Sequence, residues 1–138
     1  MFRKILVAVD GSDCASQAVW VAAYLARVLG ADLCVITVFD PVPAYVGEFA
    51  HLAAINAQRK AAEEILQKAL GVAGELPGRL ESEVQEGRPA EAILRVAKAR
   101  AIDLIVMGAR GHGTLSGFLL GSQSLKVLHH AGCPVLVV

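Results

Sequence analysis

The sequence predicts an α/β protein: a doubly wound parallel sheet with helices on both faces. Three observations carry this. Short β-branched apolar runs alternate with longer Ala- and Leu-rich segments along the 138 residues, as expected of successive βα units. The chain is 55% hydrophobic but only 5% aromatic, so its core is built from Ala, Val, Leu and Ile, a mix suited to strands buried on both faces. Turn and cap residues punctuate the runs.

The first strand is Ile5 to Val9, stopped by the turn signal Asp10-Gly11-Ser12. Ala15 to Leu29 is a helix closed by Gly30, the residue type favoured just past a helix end. Leu33 to Phe39 is the second strand. Pro41 and Pro43 break the pattern, so residues 40–47 form a loop. Glu48 to about Leu70 repeats apolar residues at helical spacing (Leu52, Ile55, Ala62, Ile65, Leu66, Ala69), and the glycines from Gly71 onward are expected to end it. Leu80 to Gln85 alternates apolar or small with polar residues, which predicts a half-exposed strand at a sheet edge. Pro89 fits the first turn of a helix continuing over Ala90 to Ala99. Asp103 to Met107 is the fourth strand, Ser122 to His130 the last helix with Ser122 as its N-cap, and Pro134 to Val138 the last strand.

Length fits a single domain, residues 1–138, able to bury a real core. The formal net charge is +0 with 19% charged residues, which argues against a nucleic-acid binder. Cys14, Cys34 and Cys133 form no C-x-x-C pair; three scattered cysteines read as buried free thiols of a reducing compartment. The N-terminus runs straight into a strand without the features of a signal peptide, and no segment reaches the ~18 apolar residues of a membrane span. The expectation is a cytoplasmic protein.

The most informative stretch is G-x2-G-x9-G-S, formed by Gly108, Gly111, Gly121 and Ser122 directly after the apolar run Leu104-Ile105-Val106-Met107. A buried strand that empties into a glycine loop and then a helix is one way to build a phosphate site. Glycines allow close approach of the backbone and positive φ, and the helix N-terminus offers free N–H groups and a positive dipole end. Two familiar phosphate motifs fail. Gly108-x4-Gly113 is followed by Thr114, so the Walker A lysine is missing, and Gly111-x-Gly113-x3-Gly117 follows the fourth strand, where dinucleotide fingerprints follow the first. Asp10, at the end of strand one, either caps the first helix or accepts hydrogen bonds from ribose hydroxyls or an adenine edge; the roles are compatible. Arg110 and His112 are candidates for phosphate oxygens, Arg110 through its fixed fork of donors. His51, His129 and His130 have no metal-ligand partner at useful spacing and read as surface residues. No Ser-His-Asp set or carboxylate pair stands out, so no catalytic residue is assigned and slow hydrolysis of a bound nucleotide is the most enzymatic outcome expected.

On these residues the chain resembles a universal stress protein of the ATP-binding, single-domain type. The resemblance runs through Ile5 to Ser12, Gly87-Arg88-Pro89-Ala90, Ala101 to Gly108, Gly121-Ser122 and Cys133 to Val137. It implies a five-stranded parallel sheet of order 3-2-1-4-5 and a homodimer formed through the C-terminal strand, residues 134–138. An apolar strand there would be an exposed edge unless covered, and symmetric pairing covers it. The resemblance further implies ATP as ligand, with any Mg²⁺ held mainly by the phosphates. Asp10 and Val38 would hold the nucleoside; Met107, Gly108, Arg110, Gly111, His112, Gly121, Ser122 and Gln123 would line the ribose and phosphate path. The function so implied is a nucleotide-dependent regulatory role in stress response. The alternatives are a nucleotide-independent dimeric interaction module and a weak ATP hydrolase or phosphotransferase with His112 as its candidate base.

Overall fold

The structure, a computed structural model, describes residues 1–110 and 120–138. Along the chain come β1 (Lys4–Val9), α1 (Asp13–Leu29), β2 (Asp32–Phe39), α2 (Glu48–Ala73), β3 (Leu80–Glu86), α3 (Pro89–Ala99), β4 (Leu104–Met107), α4 (Ser122–His130) and β5 (Val135–Val137). The strands form one sheet of order β3-β2-β1-β4-β5, and every pairing is parallel. The fold class, the strand order and the edge position of β3 are as expected.

The pleat sorts each strand between two cores. Ile5, Val7 and Val9 face α1 and α2, where they meet Ala18, Ala22, Ala26, Leu66 and Ala69. Leu6 faces α3 and α4 together with Ile36, Ile93, Val96, Ile105 and Val127. The small Ala residues of α1 let that helix lie close on the central strands. Ile5, Leu6, Val7, Ile105 and Val106 are fully shielded from water, each such side chain contributing about 1.5–3 kcal/mol of burial.

Local chemistry sets the element ends. Ser12 is the N-cap of α1, its Oγ accepting from the Ala15 N–H at 3.2 Å. Gly30 closes α1 in the left-handed region at φ 65°, where a side chain would be strained. At the other end of the sheet, the Asp103 carboxylate accepts from the Arg3 and Lys4 N–H groups at 2.9 and 3.1 Å. It fixes the start of β1 beside the start of β4.

Three expectations need correction. Helix α2 does not stop near Leu70 but continues through Gly71 to Ala73. Ala69 and Ala73 are both buried, and that contact one turn apart outweighs the modest helix penalty of an exposed Gly71. Residues 40–47 form the expected loop, which carries one 3₁₀ turn, Ala44–Val46. Ser122 is the first residue of α4; the N-cap is Gly121, at φ −61° and ψ 152°, and no side chain caps it. Of the three thiols only Cys34 is buried, Cys14 and Cys133 being partly exposed.

Candidate functional site

The chain runs from β1 outward to β3, then returns across the sheet to β4. The crossovers on the two sides of β1 therefore leave in opposite directions, and a crevice opens beyond the carboxyl ends of β1 and β4. That is where open α/β sheets bind ligands. The described residues frame a cleft of about 280 Å³ there, near the ~300 Å³ lower end of small-molecule sites.

The apolar lining draws on four elements. Ala8 comes from β1, Ile36 and Val38 from β2, Pro89 and Ile93 from α3, and Met107 from β4. The polar lining comprises Asp10, Ser12, Arg110, Gly121, Ser122, Gln123 and Ser124. Among the predicted site residues, Asp10, Val38, Met107, Gly108, Arg110, Gly121, Ser122 and Gln123 all converge on it. Gly111 and His112 lie outside the described residues.

Specific bonds place several of these residues. The Asp10 carboxylate accepts from the Ser12 N–H at 2.9 Å, which tightens the β1–α1 turn. Asp10 thus does not cap α1; Ser12 does. Beneath that turn, the buried Thr37 hydroxyl donates to the Val9 carbonyl at 2.7 Å and locks the ends of β1 and β2 together. The base of the glycine loop is pinned through the backbone. Val138 N–H donates to Met107 O at 2.9 Å, Ala109 N–H to Val138 O at 2.8 Å, and Gly121 N–H to Ala109 O at 2.7 Å. Ser124 then donates its hydroxyl to Gly108 O at 2.9 Å.

This bracing aims the N-terminus of α4 at the cleft. The first N–H groups of a helix have no intrahelical partner, and those of Ser122, Gln123 and Ser124 stand on a cleft-lining turn that carries no acidic residue. The N-terminus of α1 enters the same cleft through Ser12 and Ala15, and that of α3 through Pro89. The positive ends of helix dipoles favour anions at such a place. The motif glycines work differently from expectation. Of the two described, Gly108 is not among the glycines with positive φ and Gly121 sits at φ −61°, so neither supplies a left-handed backbone.

Sequence reasoning missed Ser12, Ile36, Pro89, Ile93 and Ser124 as cleft residues. Ile36 was within reach: with period two it shares a face with Val38. Pro89 was too, since a helix following a parallel strand begins at the ligand-binding end of the sheet. Ser124 had no local signal.

Among the described residues, the clearly displaced pKa values belong to groups away from the cleft. Burial pushes the Cys34 thiol up to about 11, against a partial lowering by Arg100. The Arg100 guanidinium is raised by its bonds to Glu81 and Glu83, and burial raises Cys133. The first two accompany the ion pairs of Arg100 with Glu81 and Glu83. No group of three His, Cys, Asp or Glu side chains suited to a metal exists among the described residues.

The model of the universal stress protein family matches residues 1–138. The chain belongs to that family. A universal stress protein of Thermus aquaticus, the one in the QAH/OAS sulfhydrylase 3′ region, is 45% identical over 138 residues, covering 100% of this chain and 99% of the relative. The solved universal stress protein UspA of Lactobacillus plantarum superposes with a TM-score of 0.88 at 28% identity, over 99% of this chain and 97% of that one. A universal stress protein crystallised in complex with cAMP superposes with a TM-score of 0.77 at 27% identity, over 99% and 97% of the two chains. No helix among the described residues of this universal stress protein is long and apolar enough to cross a membrane.

Proposed function

We propose that this universal stress protein binds an adenine nucleotide, ATP in the first instance, in the cleft between β1 and β4, and that occupancy regulates a homodimer in stress response. The observation that carries this is one cleft lined both by apolar side chains of β1, β2, α3 and β4 and by the N-terminus of α4. A purine suits the first, between Val38 and Met107 on the sheet and Pro89 and Ile93 on α3. Phosphates suit the second, at Gly108, Gly121 and Ser122, with the Arg110 guanidinium beside them. Asp10 lines the same cleft and would accept from ribose hydroxyls. A family member of the same fold in complex with cAMP supports an adenine nucleotide as the ligand class.

Among the described residues the cleft offers an anion N–H groups but no cluster of carboxylates, so a Mg²⁺ ion would arrive on the phosphates and be held mainly by them. We assign no catalytic residue. The dimer is proposed through residues 134–138, where β5 is an edge strand with Leu136 outward; covering such an edge removes an aggregation hazard. Three free thiols suit a reducing cytoplasm.

The test is mass spectrometry of the purified protein together with calorimetry against ATP, ADP, AMP and GTP. Co-purified adenine nucleotide, or ATP binding at least about tenfold tighter than GTP binding, a difference of ~1.4 kcal/mol, is expected. Binding of no nucleotide refutes the reading and leaves the family's glycine loop as architecture. A monomer mass independent of concentration removes the dimer.

A further inference from the structure

We propose that Gln123 is a positioning residue for the purine end of the cleft, acting through α3 and not through the phosphates; this rests on the nucleotide reading above. Gln123 is the second residue of α4, next to Ser122 at the proposed phosphate end. Yet its side chain reaches across to the other helix, where Oε1 accepts from the Ala90 N–H at 3.0 Å. A backbone N–H is only a donor, so the atom facing it is the amide oxygen.

The first turn of α3 needs this bond. Its N-cap, Arg88, contributes no side-chain cap, and Pro89 has no N–H to satisfy. Ala90 is only 2% exposed, and its N–H lies in the first turn, where the helix itself offers no acceptor. Gln123 supplies the acceptor from 33 residues away. The residues on either side of the tether are cleft walls: Pro89 precedes Ala90, and Ile93 follows one turn later.

The neighbouring Ser124 hydroxyl holds Gly108 O at the end of β4. A single turn of α4 thus holds β4 on one side and α3 on the other, and fixes the spacing between the Pro89–Ile93 wall and the anion end. Without the tether the wall samples positions that fit a purine less well, and the apparent affinity falls with the fraction of competent cleft. A hydrogen bond of this kind corresponds to roughly a threefold to tenfold effect. A direct phosphate contact would behave otherwise, because it would not act on a ligand lacking phosphates.

The experiment measures adenosine and ATP binding by calorimetry for the wild type, Gln123→Leu and Gln123→Glu, with thermal unfolding of each protein recorded alongside. Leucine matches the size but cannot accept from Ala90. A glutamate accepts as glutamine does, while its charge at the start of α4 opposes phosphate. The expected result is that Gln123→Leu weakens adenosine and ATP by the same roughly threefold to tenfold factor. Gln123→Glu is expected to keep wild-type adenosine affinity and to lose ATP affinity only. ATP weakened with adenosine unchanged in Gln123→Leu would overturn the inference in favour of a phosphate contact, as would equal loss of adenosine in both variants. If Gln123→Leu does not fold, Gln123→Ala, which also lacks the acceptor for the Ala90 N–H, takes its place in the same comparison. A wild type that binds neither ligand fails at the nucleotide reading itself, before any variant is compared.

Discussion

Gly108 lies hard against Cys14. A Cβ on Gly108 would stand 2.9 Å from both the carbonyl carbon and the Cβ of Cys14, and 3.1 Å from its carbonyl oxygen. The first turn of α1 therefore rests on the last residue before the glycine loop, and the glycine is required by packing before any ligand is considered. Gly108→Ala is expected to destabilise the fold by about 1–3 kcal/mol, the usual cost of an inserted methyl group in a tight contact. It is also expected to weaken nucleotide binding by shifting the end of β4. Urea unfolding with an unchanged slope but a lower midpoint would show the first effect. Wild-type stability in Gly108→Ala would mean the α1–β4 contact is looser than 2.9 Å requires.

Ser122 and Ser124 are predicted to separate cleanly. Ser124 is 5% exposed and donates to Gly108 O, whereas Ser122 is exposed and makes no side-chain capping bond. Ser124→Ala should lower stability by about 1 kcal/mol, the net worth of such a bond. Ser122→Ala should leave stability within about 0.5 kcal/mol of wild type, as at an ordinary surface position, and reduce affinity for ATP. Denaturation midpoints and calorimetry on the two proteins check both halves; a large stability loss in Ser122→Ala would place that hydroxyl in the fold instead of the site.

These contrasts show what was legible in the sequence. The strands of a parallel sheet are apolar runs because both faces are covered, so Ile5 to Val9, Leu33 to Phe39 and Leu104 to Met107 could be read directly. The glycine motif marked the carboxyl end of β4, and β1 and β4 are neighbours, which brought Asp10 and Gly108 to one cleft. Long-range polar bonds were not legible. Nothing local says that Gln123 accepts from Ala90 or that Ser124 holds Gly108. In β3 the alternation located the strand but misjudged its polar face. Glu83 is half-buried and Ser82 exposed, because Arg100 reaches back from the end of α3 to pair with Glu81 and Glu83.

Asp10 joins the turn to the proposed ligand. Its carboxylate accepts from the Ser12 N–H at 2.9 Å, and a carboxylate that also receives ribose hydroxyls would contribute a charge-assisted bond worth about 1.5–3 kcal/mol. Asp10→Asn retains an oxygen for the Ser12 N–H and should keep most of the stability. Asp10→Ala should lose about 0.5–1.5 kcal/mol of stability and at least about tenfold in ATP affinity. Calorimetry on both variants is the check. Equal ATP affinity in the wild type and Asp10→Ala would remove Asp10 from the nucleoside site while leaving its role in the turn.

Cys34 predicts a pH dependence at the alkaline end. It lies on β2 against Ile36 and Ile93 on the α3 side of the sheet, and desolvation raises its thiol from 9.0 to about 11. The folded protein thus holds a proton that the unfolded chain releases between those values. Where the native state binds more protons than the unfolded state, stability falls as pH rises. The contribution of Cys34 is therefore fully present below pH 9.0, declines from there, and is gone once pH has passed about 11. Lysines and tyrosines titrate in the same range, so the observable is a difference. Between pH 9 and pH 11 the wild type should lose more unfolding free energy than Cys34→Ala, whose cavity cost does not change with pH. Parallel stability curves for the two proteins across that window would show that the thiol is not desolvated in solution. Slow reaction of Cys34 with an alkylating reagent at pH 8 should accompany the larger loss, since the thiolate is the reacting species.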